Sequence, residues 1–528
     1  MSNATAGPFT NVTYWQLGKR LRAAWRIVRS PQTISTLIFA FTALYLIRRL
    51  FGLVSLSLSW GYVHDSPLMI YAAYLIDQGA VPYRDIFEMN TPGTYFLMWL
   101  MGKMFGWDNL SFRLFDLTCL SVITVCSGVA LRRFGVLTAI IGPVAFALWY
   151  LGLGPNQSLQ REYMGLVPLA VTLAVLSLNI NRQLQSVLVG FGCGFMVLIK
   201  PQFVLFAAPL GVALVLVGGF SWRNAFKRSL IASFAFMLPV LAALAYLWRS
   251  HGLLPFIDIA SHYWGLYAHL SGNHQTVTSA EKLNNIVAQL RTNVLQFAPV
   301  WAILGLTFVG DCRRRQAFGW LFGSLLILSF IYPAIGGQFW QYHWMPFFFM
   351  AYAVASLCAS GALTWGVGSV MGKLAFLLLL FLSLELAQLG AREAPAPIHY
   401  KNGAPEKIRK YLSENMQPGD TVQPLDWTLG AVHGMLLAKA RLATRFMYDF
   451  HFYHHVSIPY IQGLRAEFMT QLVAAKPRYI VQMVGEGKPW PRGNDSSRSF
   501  AELDQFLIEH YHVVSAEREY NILERNAN

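Results

Sequence analysis

The stretch Trp60–Thr91, WGYVHDSPLMIYAAYLIDQGAVPYRDIFEMNT, follows the first long apolar run and carries acids at Asp65, Asp77, Asp85 and Glu88 among aromatic and apolar residues. A connector between two membrane helices could be far shorter and need not be amphipathic. Here Pro67–Gln78 reads as an amphipathic run, and Pro82 and Pro92 bracket a short irregular segment after it. The stretch therefore reads as the reactive loop of a membrane enzyme, with the remaining chain built to hold it.

Composition agrees. Of 528 residues, 55% are hydrophobic and 13% charged, against roughly 25% charged in ordinary globular domains. Apolar stretches near membrane-crossing length predict a mostly α, polytopic membrane protein of about 12 transmembrane helices. They fall near 34–58, 91–107, 111–131, 135–152, 162–180, 184–200, 202–219, 229–248, 294–310, 318–335, 344–365 and 371–390. The net charge of +15 is concentrated in short inter-helix loops and the N-terminal tail. Orientation in the bilayer accounts for it there, which argues against nucleic acid as a partner. Arg132, Arg133, Arg182, Arg223, Lys227, Arg228, Arg313, Arg314, Arg315 and Lys373 occupy alternate loops, whereas the short loops near 153–161 and 336–343 contain only Arg161. That asymmetry puts the N-terminus on the cytoplasmic side, in a bacterial inner membrane, and the opening stretch on the periplasmic or extracellular side.

Three regions follow. Residues 1–33 read as a cytoplasmic basic amphipathic segment. Residues 34–390 form the transmembrane domain, with outer loops 59–90 and 249–293. Residues 391–528 form a small outer-face α/β domain, because strand-like runs at 421–427, 441–448, 478–484 and 511–524 alternate with helical ones. That domain has no GxGxxG or P-loop pattern. Cys119, Cys126, Cys193, Cys312 and Cys358 lack ligand spacing and read as packing residues. The run YDFHFYHH (448–455) reads as an exposed aromatic loop rather than a metal tract.

Several polar residues gather on the outer face. Asp65 can serve there as a general base or a metal ligand. Arg84 beside Asp85 is either a structural tie or a contact to a phosphate or sugar. Glu88 and Asn90 either join that contact or cap the next helix. Glu162 borders the outer mouth of the bundle, with a joint metal site with Asp65 as one option and pairing to Arg161 as the other. Lys200, a lysine on the lysine-poor side, either binds a lipid phosphate or snorkels to the interface. His343, flanked by Gln341 and Tyr342, contacts phosphate or metal or is a hydrogen-bonded interfacial histidine. Arg48 and Arg49 interrupt the first span and are placed to face the cavity of Asp65.

In their order and sidedness these motifs resemble the type C glycosyltransferases, especially the protein O-mannosyltransferase and lipid A aminoarabinose transferase branch. The matching residues are Asp65, the Gly79–Pro92 segment around PYRD, Glu162, GFMVLIKPQ at Lys200, YHWMPFF at His343, and KPRYIV in the C-terminal domain. One departure is His64-Asp65-Ser66, where many members carry paired acids. The resemblance implies a hexosyl- or pentosyltransferase with a polyprenyl-phosphate-linked sugar donor. The acceptor is an envelope lipopolysaccharide, polysaccharide, lipid or protein. It also implies inversion with Asp65 as base, Glu162 orienting the acceptor or ligating a divalent ion, phosphate held by Lys200, Arg84 and His343, and a lipid-lined groove. The rival readings are a lipid-linked sugar transporter or flippase, and a non-catalytic envelope-assembly subunit. The lack of an internal repeat weighs against a transporter.

Overall fold

The computed structural model describes residues 19, 31–63, 65–217, 219–270, 278, 280–288, 316–337, 339–362, 403–426, 430–484, 493–497 and 499–527. Ten of the expected stretches coincide with described helices, among them Pro31–Ser57, Asn109–Leu131, Val136–Gly152, Arg161–Ser177, Arg182–Ile199, Trp222–Arg249 and Gln316–Gly336. The expected span at 91–107 is the helix Pro92–Phe105, about 21 Å long, and it does not cross: Thr91 and Asn109, at its two ends, bond Ile199 and Tyr62 on the Asp65 side. The expected spans near 294–310 and 371–390, most of residues 1–33 and the linker at 391–402 lie outside the described residues. Among the described residues four helices are long and apolar enough to cross a membrane: Asn109–Phe134, Arg182–Ile199, Trp222–Arg249 and Gly319–Gly336. The chain is a mostly helical membrane protein with a small sheet at its C-terminal end.

Close helix packing depends on small residues. Gly190 and Gly194 lie against the Ala232 and Phe236 carbonyls of the Trp222–Arg249 helix, leaving no room for a Cβ. This is the small-residue contact expected where water does not drive helices together. At the helix ends away from Lys200, Arg228 donates to the Val217 carbonyl at 2.7 Å and to Gln185 Oε1 at 3.1 Å. Gln185 Nε2 in turn donates to the Val175 carbonyl at 2.9 Å.

The C-terminal domain is α/β, with one sheet in the order β2-β1-β3-β5-β4. Strands β1 (Thr421–Leu425), β2 (Arg441–Leu442) and β3 (Tyr479–Met483) are parallel, and β5 (Tyr520–Arg525) runs antiparallel to both β3 and β4 (Tyr511–Ala516). After β1 the Asp426 carboxylate accepts from the backbone N–H groups of Gly430 and Ala431 at 3.1 and 2.8 Å. The protein's own acid thus caps the Ala431–Leu437 helix.

This domain sits directly on the opening stretch. Tyr71 Oη donates to the Ala440 carbonyl at 2.9 Å, and the Phe87 N–H to the Arg445 carbonyl at 2.7 Å. His433 Nε2 lies 3.2 Å from Asn109 Oδ1, which also accepts the Tyr62 N–H at 3.0 Å. Tyr460 Oη reaches Asp258 Oδ2 at 2.8 Å.

Docking corrects two sequence expectations. The Ser66–Asp77 helix is buried from Ser66 through Leu75, so it is an internal helix rather than an amphipathic surface one. Its tyrosines, polar at one end only, suit a place between bundle and domain. The 448–455 run is not an exposed loop. His451 and His454 are buried, and His451 Nδ1 is bonded to Tyr263 Oη. No local periodicity signals such burial, because a distant segment does the covering. Arg48 is exposed and Arg49 half-buried, so Arg48 does not enter the polar interior.

Candidate active site

The polar residues of the site are held by helix ends. Lys200 follows the Arg182–Ile199 helix and precedes Pro201, which disfavours helical backbone at the residue before it. Lys200 is accordingly extended, with φ −153° and ψ 118°. The turn is clamped by the end of the opening stretch. Thr91 and Thr94 hydroxyls donate to the Ile199 carbonyl at 2.7 and 3.1 Å, and Gly93 packs on the Leu198 backbone too closely for any side chain. Glu162 occupies the first turn of the Arg161–Ser177 helix, where backbone N–H groups favour negative charge. His343 lies in the short 3₁₀ turn Gln341–Trp344.

These elements converge. Lys200 Nζ bonds Glu162 Oε1, and His343 Nε2 lies 3.4 Å from the same oxygen. Glu162 is fully buried, while Lys200 is 7% and His343 6% exposed. The ammonium also stands 5.8 Å from the centre of the Tyr332 ring. Arg161 interacts electrostatically with Glu162, Tyr342, Tyr267 and Asp65. The Asp65 carboxylate acts in addition on Lys200 and Tyr342. At the rim Gln157 Nε2 donates to Gln341 Oε1 at 3.2 Å. Asp65, Glu162, Lys200, Tyr342 and His343, read separately from the sequence, therefore form one cluster, with Gln341 at its edge.

One buried carboxylate, Glu162, faces Lys200, Arg161 and His343. Glu162 Oε2, Gln202 Oε1 and the Tyr332 hydroxyl are buried with no hydrogen-bond partner among the described residues. Buried polar atoms are normally paired, so such a group of orphans marks a place where a polar ligand would complete the set.

The other expected residues lie around the 81–90 turn. Asp85 Oδ2 accepts the Val81 N–H at 2.8 Å, and the Arg84 guanidinium grips the Asp85 carboxylate with two bonds of 2.7 Å. Arg84 also donates to the Ser250 carbonyl at 3.2 Å. The hydrogen-bonded Arg84 holds the Asp85 carboxyl below its ordinary value. This is the structural tie. Glu88 is buried and accepts from the Met89 N–H at 2.7 Å, Asn90 Nδ2 at 3.2 Å and the Tyr448 hydroxyl at 3.3 Å. Burial pushes its carboxyl up to about 7, against the opposing influence of Arg161. Glu88 thus connects the cationic cluster to the C-terminal domain.

The donor set does not suit a resident divalent ion shared by Asp65 and Glu162. Glu162 is already engaged by an ammonium, with Arg161 and His343 beside it. Among the described residues no group of three or more His, Cys, Asp or Glu is arranged to hold a metal.

Sequence reasoning treated Arg161 only as a partner for Glu162. The signal was present: Arg161 is the one cation in short outer loops otherwise free of them. Tyr267 and Tyr332 had no such signal, since aromatic residues are common throughout the spans.

No family model matches the chain, and no curated sequence matches it. Solved structures share its fold, two of them of one protein. ArnT from Cupriavidus metallidurans bound to undecaprenyl phosphate superposes with a TM-score of 0.59 at 12% identity, covering 92% of this chain and 98% of that one. The same protein in the apo state gives 0.54 at 12% identity, covering 94% and 98%. The likeness runs through both the helical bundle and the C-terminal domain.

Proposed function

We propose that this chain, which has the type C glycosyltransferase fold that it shares with ArnT, transfers a sugar from a polyprenyl-phosphate-linked donor to an envelope acceptor on the outer face of the membrane. The observation that carries this is the convergence of Lys200, Arg161 and His343 on the buried Glu162, with Asp65 in electrostatic reach. A phosphate is the anion such a set suits, because Arg supplies a planar fork of donors and Lys a point charge. That one ArnT structure holds undecaprenyl phosphate supports a lipid phosphate as the ligand class.

Asp65 takes the proton from an acceptor hydroxyl. The freed oxygen attacks the anomeric carbon from the face opposite the phosphate, and the carbon–oxygen bond to phosphate breaks with inversion. The electron pair departs on the polyprenyl phosphate, whose charge thereby increases. Lys200, Arg161 and His343 stabilise that increase, which is the largest kind of contribution a fixed site makes. Glu162 keeps the cations in place by neutralising part of their mutual repulsion. Lipopolysaccharide, another polysaccharide, a lipid and a protein all offer the required hydroxyl.

The test is incubation of the purified protein with polyprenyl-phosphate sugars, following release of the lipid phosphate. A general base contributes roughly 10²–10⁴-fold, so Asp65→Asn should lose most turnover while still inserting and folding. Near-normal turnover in that variant would remove Asp65 from the role. Movement of labelled lipid across vesicles without sugar transfer would instead identify a transporter.

A further inference from the structure

One buried cluster outside the cationic centre touches both sides of it. Arg113 and Asp116, on the Asn109–Leu131 helix, are 0% and 1% exposed. Arg113 donates to Asp116 Oδ2 at 3.0 Å and to Ser158 Oγ at 2.6 Å. Tyr150 Oη donates to Asp116 Oδ1 at 2.6 Å and accepts the Leu159 N–H at 3.1 Å. Tyr163, stacked on Tyr150 with centroids 3.9 Å apart, donates to the Asp116 carbonyl at 3.1 Å. The Ser158 carbonyl accepts from Ser66 Oγ at 3.1 Å. Leu159 has φ +50°, a left-handed conformation unusual for a leucine, and its N–H is the one bonded to Tyr150.

The connections run to reacting positions. Ser66 is the residue after Asp65 and begins the helix that Asp65 precedes. Ser158 and Leu159 lead into Arg161 and Glu162. The same helix, through Asn109, holds Tyr62 three residues before Asp65, and the Arg113 guanidinium lies 5.5 Å from the Trp60 ring centre. A buried ion pair is weak evidence for stability, since apolar residues of similar volume commonly replace one without loss. In this case the pair holds Ser158 in the loop before Glu162, and the Ser158 carbonyl in turn accepts from Ser66 beside Asp65, so two loops from distant parts of the sequence are tied together. Backbone strain at Leu159 persists because the surrounding bonds over-determine it.

We propose that Arg113, Asp116 and Tyr150 form a positioning node that fixes the Asp65 loop against the Arg161–Glu162 turn, an inference that rests on the glycosyl-transfer reading. None of the three touches the reacting atoms. The node acts through Ser66 on one side and Ser158–Leu159 on the other, setting the separation between the base and the cationic centre.

Tyr150→Phe removes one hydroxyl without changing the ring, and Ser66→Ala cuts the link on the other side. In the purified full-length protein each should lower kcat about tenfold or more, as small misplacements of reacting groups do. KM for a polyprenyl-phosphate sugar should stay within about twofold, the sign of a loss confined to the transition state. Because both lesions break one connection, the double variant should be no worse than the poorer single one. Unchanged kcat in both singles, or losses that multiply, would overturn the node. Hydrogen exchange separates this outcome from failure of the transfer reading. Tyr150→Phe should speed exchange at 158–162 and at 65–70 together, whether or not wild-type protein turns over any donor. Loosening confined to 158–162 would also overturn it.

Discussion

The protein buries basic side chains at both ends of its helix bundle, and the two ends treat them differently. At one end Arg228 donates to the carbonyls of Val217 and Val215 and to Gln185, whose amide donates onward to the carbonyls of Val175, Leu176 and Leu178. Cations and amide donors there meet the carbonyl ends of helices, where backbone dipoles favour them. At the other end Lys200, Arg161 and His343 share one carboxylate, and Glu162 Oε2 has no partner among the described residues. Arg228 draws on the chain's own backbone and on Gln185, with its Nε left unpaired among the described residues. The Lys200 group instead brings several ionisable side chains together on one buried carboxylate, with Asp65 acting on the same cations. Ionisable groups that converge, rather than burial alone, distinguish a site from a staple.

The contrast is sharpest in substitution. Lys200→Met should lower kcat/KM with a polyprenyl-phosphate sugar by about 10²–10³-fold, the loss typical of removing one donor to a developing anion. Some stability should be lost with the Glu162 partner, but the fold should survive, because Glu162 keeps Arg161 and His343 beside it. A variant that unfolds while the surviving fraction keeps wild-type kcat/KM would make Lys200 a staple like Arg228. Arg228→Met should behave in the opposite way. It removes the side-chain donor to the Val217 carbonyl and leaves Gln185 Oε1 to Arg182 alone, costing about 1–3 kcal/mol of stability. Thermal unfolding should show that loss, and turnover per folded molecule should be unchanged.

How much of this was legible beforehand follows from where the signals reside. The helical class and the α/β character of the tail are local properties of hydropathy and alternation, and they were readable. The membership of the Lys200 cluster was readable too, since the charge asymmetry put Asp65, Glu162, Lys200 and His343 on one face. What sequence could not reveal is contact across long separations. Burial of the Ser66–Asp77 helix depends on residues near Ala440, and burial of His451 depends on Tyr263. The Arg113–Asp116 pair is hidden for a related reason: two charges three residues apart on a helix look like an ordinary exposed pair. Arg84 and Asp85 show the converse, where the simpler alternative, a tie within a turn, describes the geometry.

The smallest expected effect concerns the seam between bundle and C-terminal domain, where two buried groups work in opposite senses. Burial raises the Glu88 carboxyl to about 7, while an exposed glutamate titrates near about 4.3. Between those values the folded state holds a proton that the unfolded state has lost, so stability falls as pH rises. The stabilisation is complete below the lower value and gone above the upper one. Burial lowers the His433 imidazole to about 3, against about 6.5 when exposed. Its contribution is complete above the exposed value and is lost as pH falls toward the buried one. The two windows overlap between about 4.3 and 6.5, where the opposing slopes cancel, so wild-type stability should be nearly flat there and fall on either side. Glu88→Gln removes only the alkaline loss and should move the plateau of Tm upward in pH, while His433→Gln removes part of the acid loss and should move it downward. Tm of the full-length protein from pH 5 to 8 in one detergent reads both shifts. A downward move in Glu88→Gln would show that Glu88 is ionised at the seam, and would extend the ionised groups of the Lys200 cluster toward the C-terminal domain.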